Sequence, residues 1–205
     1  MERIEIPATK SNLIRLKDEL VFAEDSLDLL DQKKEILVRQ ISSLAVRAEK
    51  VREEMNQRLI VAYERLQEAV IQYGEATVAS VGLGLQAGEQ LRVREKSLMG
   101  VVLPQVHIDI PPLKPGYGFY ATGKGIDSTT VAIHRAMELA GELAEVEVGM
   151  ERLIVELKKT LKRINVLSHI YIPKYQATIK AIDISLEEKE REDSFRLRRI
   201  RNKGM

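Results

Sequence analysis

One stretch of this sequence has residue types and a spacing that suggest catalysis: Gly118-Phe119-Tyr120-Ala121-Thr122-Gly123-Lys124. It matches the G-x-x-x-x-G-K phosphate-binding loop, whose backbone N–H groups and lysine hold nucleotide phosphates. Gly125 follows where that loop needs a serine or threonine hydroxyl to bind magnesium. Such a loop also needs a parallel sheet behind it, and the chain has few strand-like runs. We therefore interpret the run as a glycine-rich connection.

Other catalytic arrangements are missing from the sequence. His107, His134 and His169 are too far apart for the i, i+4 spacing of zinc ligands, and the chain has no cysteine. The carboxylates alternate with lysines and arginines, as on a solvated helix face. The sequence thus predicts no catalytic residue, no cofactor and no metal site.

The dominant features of the sequence are two long apolar stripes. The first has the three-and-four spacing of a coiled coil, interrupted by Lys34. We call its predicted contact residues, together with those of the second stripe, the seam. On the first stripe they are Leu13, Leu16, Leu20, Leu27, Leu30, Leu37, Ile41 and Leu44.

The second stripe approaches the C-terminus. Its predicted seam residues are Ile154, Leu157, Leu161, Ile164, Ile179, Ile182 and Leu186. Because burying each leucine contributes about 1.5–3 kcal/mol, two such stripes on one chain favour an antiparallel two-helix coiled coil. A parallel homodimer is the structural alternative.

Local signals divide the chain into three segments of a single elongated domain, 1–205. We predict an N-terminal helix over 9–76, starting at Thr9, and a C-terminal helix over 127–203, with Asp127 and Ser128 as candidate caps. Pro173 removes a helical hydrogen bond, so a kink is expected near it. The fold class is therefore dominated by α-helix.

The connecting region 77–126 differs in character. It is expected to hold a shorter helix, a Gly/Pro loop and a small β-hairpin built from 101–103 and 106–110, which Pro104 separates.

Composition narrows the possible partners. The chain carries 32 basic and 31 acidic residues, so it has no overall charge that favours nucleic acid or an anionic membrane. No run approaches the roughly 20 apolar residues that cross a bilayer, and the first ten residues lack a signal-peptide core. We expect a cytoplasmic protein without direct membrane insertion and without nucleic-acid binding.

Both ends of the sequence resemble the D subunit of V-type and archaeal-type rotary ATPases. The likeness begins with Pro7-Ala8-Thr9-Lys10-Ser11-Asn12-Leu13 and is stronger in Arg163-Ile164-Asn165-Val166-Leu167, Ile172-Pro173 and Leu186-Glu187-Glu188-Lys189-Glu190-Arg191-Glu192. It covers about two-thirds of the chain, in matching order and spacing. Ser26, Asp31, Lys34 and the pair Ser168-His169 depart from the family pattern.

The resemblance implies a non-catalytic rotor shaft that couples ATP hydrolysis or synthesis in a catalytic head to proton or sodium movement through a membrane ring. The implied partners are the A and B subunits of the head, the small F subunit of the rotor and a funnel-shaped adaptor on the ring. The resemblance also implies that the chain is attached to the membrane peripherally, as part of the complex.

Partner-binding residues are expected at the helix ends. The C-terminal basic cluster could either complement the helix dipole or meet an acidic or carbonyl-lined partner surface. We expect Leu197 to hold the two helix ends together with Leu13 and Leu16. The candidate head-binding residues are Thr9, Lys10, Arg196, Arg198, Arg199 and Arg201.

Three other functions stay open at this point. A cytoplasmic coiled-coil scaffold or cytoskeletal protein would explain the stripes but not the specific terminal segments. A membrane-curving helical module would need a basic face along its whole length. A P-loop nucleotidase would need nucleotide binding by this chain alone.

Overall fold

The computed structural model describes residues 4–84, 90–109 and 123–203. Its elements are helix α1 (Lys10–Tyr73), helix α2 (Glu75–Gly84), strands β1 (Gln90–Leu98) and β2 (Val101–Asp109), helix α3 (Lys124–Val166), a π-helical turn (Leu167–Tyr171) and helix α4 (Ile172–Lys203). The long C-terminal helical segment packs against the long N-terminal helix, and a small antiparallel sheet lies between them in sequence. The predicted fold class is confirmed.

Helix α1 begins and ends at residues that suit those positions. Thr9 is its N-cap, because the Thr9 hydroxyl accepts a hydrogen bond from the Asn12 N–H at 3.3 Å. At the other end Gly74 has a φ of 83°, which a residue with a Cβ rarely adopts. The Gly74 N–H still donates to the Val70 carbonyl, so the helix is closed in the usual way by a left-handed glycine.

Helix α3 starts one turn earlier than 127, the predicted start. The Ile126 N–H donates to the Gly123 carbonyl at 3.0 Å, so the chain is already turning before Asp127. Ser128, a candidate cap, instead donates its hydroxyl to the Gly125 carbonyl at 2.8 Å. A hydroxyl that bonds back to a carbonyl of its own helix lies inside that helix, so Ser128 does not cap it.

The π-helical turn lies directly before Pro173. The Ile172 N–H donates to the Leu167 carbonyl, five residues back, so the helix is locally widened by one residue. Pro173 has no N–H and its ring would clash with the carbonyl four residues earlier in a regular helix. The wider turn gives that carbonyl room.

The β-hairpin uses a strand that the sequence analysis missed. Strand β2 runs unbroken through Pro104 and pairs with β1, whereas we predicted that 101–103 would pair with 106–110. Met99 and Gly100, both with positive φ, form the two-residue turn. The expected hairpin location was wrong because Pro104 faces the outer edge of β2, where the missing N–H breaks no bond of the ladder.

The chain forms two compact units, each with its own packed contacts. The first combines the chain up to Ile36 with the chain from Leu157 onward, and Leu16 and Ile182 are buried in it. The second spans Leu37–Glu156. It has one apolar cluster of Val51, Leu139 and Leu143 with Met55, and another of Ala69, Val81 and Ile126 with Tyr73 and Val78.

Candidate partner-binding surfaces

Two ion pairs join α1 to α4 in the first unit. Lys10 Nζ lies 2.6 Å from Glu190 Oε1, and Lys17 Nζ lies 3.8 Å from Asp183 Oδ2. Because the partner number falls as the α1 number rises, the helices run antiparallel. The hydrogen bond from Lys10 raises its own pKa and lowers the pKa of the Glu190 carboxyl. Of the candidate partner-binding residues, Thr9 therefore caps its helix and Lys10 pairs within the chain.

The candidate arginines lie along the exposed end of α4. Arg196 reaches Glu192 at 3.6 Å and Asp193 at 4.0 Å on its own helix. Arg198 and Arg199 are exposed, and Arg201 lies in α4 with its side chain outside the described part. Leu197 is exposed as well, so the expectation that it holds the helix ends together is wrong. Arg198, Arg199 and Leu197 all remain available to a partner.

Tyr175 contributes a partly shielded polar contact in the first unit. Its ring stacks on Tyr171 with the centroids 6.3 Å apart. Desolvation raises the pKa of the Tyr175 hydroxyl, and the negative charge of the nearby Glu19 carboxylate raises that pKa further. The phenol is therefore neutral near neutral pH, and it lies close to the Glu19 carboxylate of α1.

The predicted seam residues differ in burial. On α1, Leu16 and Leu37 are buried, whereas the following are half-buried: Leu13, Leu20, Leu27, Leu30, Ile41 and Leu44. Lys34, which interrupts the stripe, is paired with Asp31 at 2.5 Å on the same helix. A charge in the stripe is thereby satisfied without a partner from another helix.

On the C-terminal segment two of the deepest residues sit one position before predicted seam residues. Leu153 and Thr160 have exposed fractions of 0% and 2%, whereas Leu161 has 39% and Ile154 is half-buried. Ile182 is buried, and the remaining seam residues are half-buried: Leu157, Ile164, Ile179 and Leu186. The predicted register was set by counting large aliphatic residues, which passes over a buried threonine.

Large apolar side chains also lie on the outward face of α1, and the sequence analysis passed over them. Ile14 and Phe22 flank a shallow groove that Arg15 and Glu19 also line, and Phe22 is 74% exposed. Further along the helix the exposed apolar residues include Leu29, Val38, Val46, Ile60, Val61, Tyr63 and Ile71. Their signal in the sequence was their position outside the coiled-coil stripe. A series of exposed large apolar residues marks a surface suited to protein contact.

The glycine-rich run lies largely outside the described residues, but its end is visible. A Cβ on Gly123 would collide with the Tyr73 hydroxyl, and one on Gly125 would lie 3.1 Å from the Tyr73 ring. These glycines therefore admit an aromatic side chain of α1. In the described ranges, no three His, Asp or Glu side chains are grouped as a metal site would need.

The hairpin is held against α3 by two side chains that the sequence analysis did not single out. The Val106 N–H donates to Glu145 Oε2 at 2.8 Å, and Arg152 Nη1 donates to the Val102 carbonyl at 2.8 Å. Both bonds reach the outer edge of β2. They give β2 the partners that an edge strand otherwise lacks.

Comparison with known proteins identifies the family. The family model described as the D subunit of ATP synthase matches residues 12–202. The chain belongs to the ATP synthase D-subunit family. It is 34% identical over 198 residues to the V-type ATP synthase D subunit of Thermotoga neapolitana, covering 97% of this chain and 98% of that protein.

Archaeal relatives agree with this assignment. The identity is 31% over 201 residues to the A-type ATP synthase D subunit of Thermococcus sibiricus, covering 97% of this chain and 94% of that protein. It is 33% over 205 residues to that of Pyrococcus abyssi, covering 98% and 95%. The resemblance seen in the sequence is confirmed, and the chain is a subunit of a rotary ATP synthase. None of the helices in the described ranges has the length and apolar character of a membrane span.

Proposed function

We propose that this chain is the non-catalytic central shaft of a V-type ATPase or ATP synthase. It couples ATP hydrolysis or synthesis in the catalytic head to proton or sodium movement through the membrane ring. Its partners are the A and B subunits of the head, the small F subunit of the rotor and the funnel-shaped adaptor on the ring. It lies on the cytoplasmic side, peripheral to the membrane.

The observation that supports this proposal is that α1 has apolar residues on two different sides. One side of the helix packs on the C-terminal helices through residues such as Leu16 and Leu37, which are buried. The other side exposes large apolar residues such as Phe22, Leu29 and Ile71. Apolar surface on the outward side of an already paired helix is suited to an enclosing partner.

Faces that differ in their side chains also suit a shaft whose rotation angle must affect its partners. A surface whose side chains differ around its circumference makes different contacts with each of several identical interfaces. Rotation then changes which interface has which affinity, and no catalytic group on the shaft is required.

Interhelical ion pairs support transmission of force between the paired helices. In the second unit Arg47 reaches Glu142 at 2.6 Å and Arg52 reaches Glu147 at 2.6 Å. Arg58 donates to the Arg135 carbonyl at 3.0 Å. Such exposed contacts add little stability each, but several together oppose sliding of one helix along the other.

Rotation of this chain inside an immobilised head tests the proposal. The chain has no cysteine, so Ser97→Cys provides a unique attachment point for a bead on exposed β1. With the head fixed to glass, ATP should drive unidirectional rotation of the bead, whereas a non-hydrolysable analogue should not. A bead that stays fixed while the head hydrolyses ATP would favour a stationary scaffold, the alternative function.

A further inference from the structure

The outer edge of β1 offers backbone groups for a further strand. Leu98 and Val101 flank the two-residue turn and form a hydrogen-bonded pair, and bonded pairs then alternate along the ladder. The residues of β1 whose N–H and C=O point away from β2 are therefore Leu91, Val93, Glu95 and Ser97. In the part of the chain that the structure describes, no hydrogen bond engages these outward groups.

The edge of β2 is different. Glu145 and Arg152 already bond the outward groups of Val106 and Val102, and Pro104 has no N–H to offer. Between the two edges of the described hairpin, β1 is the one suited to pair with another strand.

The side chains of β1 separate apolar from basic character. One face carries Leu91 and Val93, which are 63% and 55% exposed, followed by Glu95 and Ser97. The opposite face carries the basic stripe of Arg92, Arg94 and Lys96. Arg94 and Lys96 lie across from Gln105 and Leu103 on β2, so neither has a carboxylate directly opposite.

A second copy of the chain fits the middle of this edge poorly. Antiparallel pairing of β1 with itself, centred on Val93, sets Arg92 opposite Arg94, and centring on Glu95 sets Arg94 opposite Lys96. Centring on a basic residue sets that residue opposite its own copy. Like charges directly opposite each other on paired strands are destabilising.

We propose that the β1 edge binds an extended segment of a partner protein in which acidic residues alternate with aliphatic ones. The segment adds a third strand: its carboxylates face the basic stripe and its aliphatic side chains cover Leu91 and Val93. This binding uses no nucleotide and does not depend on the shaft function, so the two proposals fail separately.

Peptide binding to the full chain provides the first test. The probe is a labelled, capped peptide of about seven residues that alternates glutamate with valine, and the control replaces each glutamate by lysine. Two facing charge pairs, with Arg94 and Lys96, change from attraction to repulsion between the two peptides, so the glutamate peptide should bind at least about fourfold tighter. Equal affinities, or no binding of either peptide, would overturn the proposal.

Amide exchange measured by NMR separates strand addition from loose electrostatic attraction. The bound glutamate peptide should slow exchange at the outward N–H groups of Leu91, Val93 and Ser97. The inward N–H groups of Arg92 and Arg94 already bond β2 and should change little. Uniform protection, or none, would contradict a third strand.

Two variants complete the design. Val93→Pro removes an outward N–H and leaves the hairpin ladder intact, as Pro104 does on β2, so the peptide should bind at least about tenfold more weakly while the hairpin NMR signals persist. Arg94→Glu with Lys96→Glu should reverse the preference and favour the lysine peptide. If neither variant alters peptide binding, the β1 edge is not the binding site. If the chain instead dimerises through β1, the occupant of the edge is a second copy and not a partner segment.

Discussion

Gly141 lies directly against the side chain of Ile108. A Cβ at Gly141 would come within 2.5 Å of Ile108 Cδ1 and 2.8 Å of Ile108 Cγ1. The hairpin therefore approaches α3 at the one residue type whose lack of a side chain allows it. The bond from the Val106 N–H to Glu145 and the bond from Arg152 to the Val102 carbonyl both lie on the same side of this approach, toward the hairpin turn.

Gly141→Ala should consequently destabilise the chain although alanine is the better helix former. The gain in helix propensity is about 0.5–1 kcal/mol, and overpacking typically costs about 1–3 kcal/mol. We expect the free energy of unfolding, measured with urea, to fall by about 1 kcal/mol. Ile108→Val removes the closest carbon and should restore part of this loss in the double variant.

Gly149→Ala is the matched control on the same helix. The nearest atom to its added Cβ is Leu44 Cδ1 at 3.9 Å, which is ordinary van der Waals contact. Here only the propensity gain applies, and the free energy of unfolding should rise by about 0.5–1 kcal/mol. Equal effects at the two glycines would mean that the hairpin does not rest on Gly141.

A second prediction concerns the packing register of the C-terminal helices. Leu153→Ala removes a fully buried side chain and should lower the free energy of unfolding by about 2–5 kcal/mol. Leu161→Ala removes a side chain that is 39% exposed and should cost less than half as much. Circular dichroism during urea unfolding measures both. A larger loss at Leu161 would favour the register predicted from the sequence.

Helices α1 and α3 show where sequence reasoning succeeds and where it stops. The start of α1 was predicted from Thr9, because capping depends on local chemistry. Its predicted end at 76 lies three residues beyond Tyr73, where Gly74 adopts a left-handed backbone. The register of α3 depends on which side chains meet across the helix pair. Thr160 is buried there, and no count of large aliphatic residues would select it.

The hairpin and the outward surfaces were harder to predict from the sequence, because they too depend on contacts between distant residues. Strand β1 contains the charged run Arg92-Val93-Arg94-Glu95-Lys96. Both of its faces are exposed, so the sequence lacks the alternating apolar pattern that indicates a half-buried strand. Its pairing partner is set by the two-residue turn at Met99 and Gly100. The exposed Phe22 likewise has no partner within the described chain that a periodicity could reveal.

A third prediction uses the pair of Lys10 and Glu190. Because the folded pKa of Glu190 is lowered, its contribution to stability is present at neutral pH and is lost as the pH falls through that pKa. The raised pKa of Lys10 has the opposite sense, so its contribution is lost as the pH rises through the lysine range. The pair therefore stabilises the folded chain only at pH values between the pKa of Glu190 and the pKa of Lys10.

Lys10→Gln should return the pKa of Glu190 upward to its usual range, as carboxyl carbon NMR would measure. Lys17→Gln is the control, since Lys17 pairs with Asp183 and not with Glu190. A Glu190 pKa that stays low in Lys10→Gln would assign the shift to another group.

The last prediction concerns the exposed end of α4, where Phe195 and Leu197 are exposed among the arginines. Because an exposed ion pair is worth only about 0–1 kcal/mol, Arg198→Ala should leave coupling nearly unchanged. Deleting 195–205 removes the apolar and basic contacts together, so it should weaken engagement with the head. In a complex reconstituted with head and membrane sector, the proposed shaft function predicts that ATP hydrolysis persists while ion transport falls, because a weakly held shaft would slip. Full transport after the deletion would show that this end of α4 bears no torque.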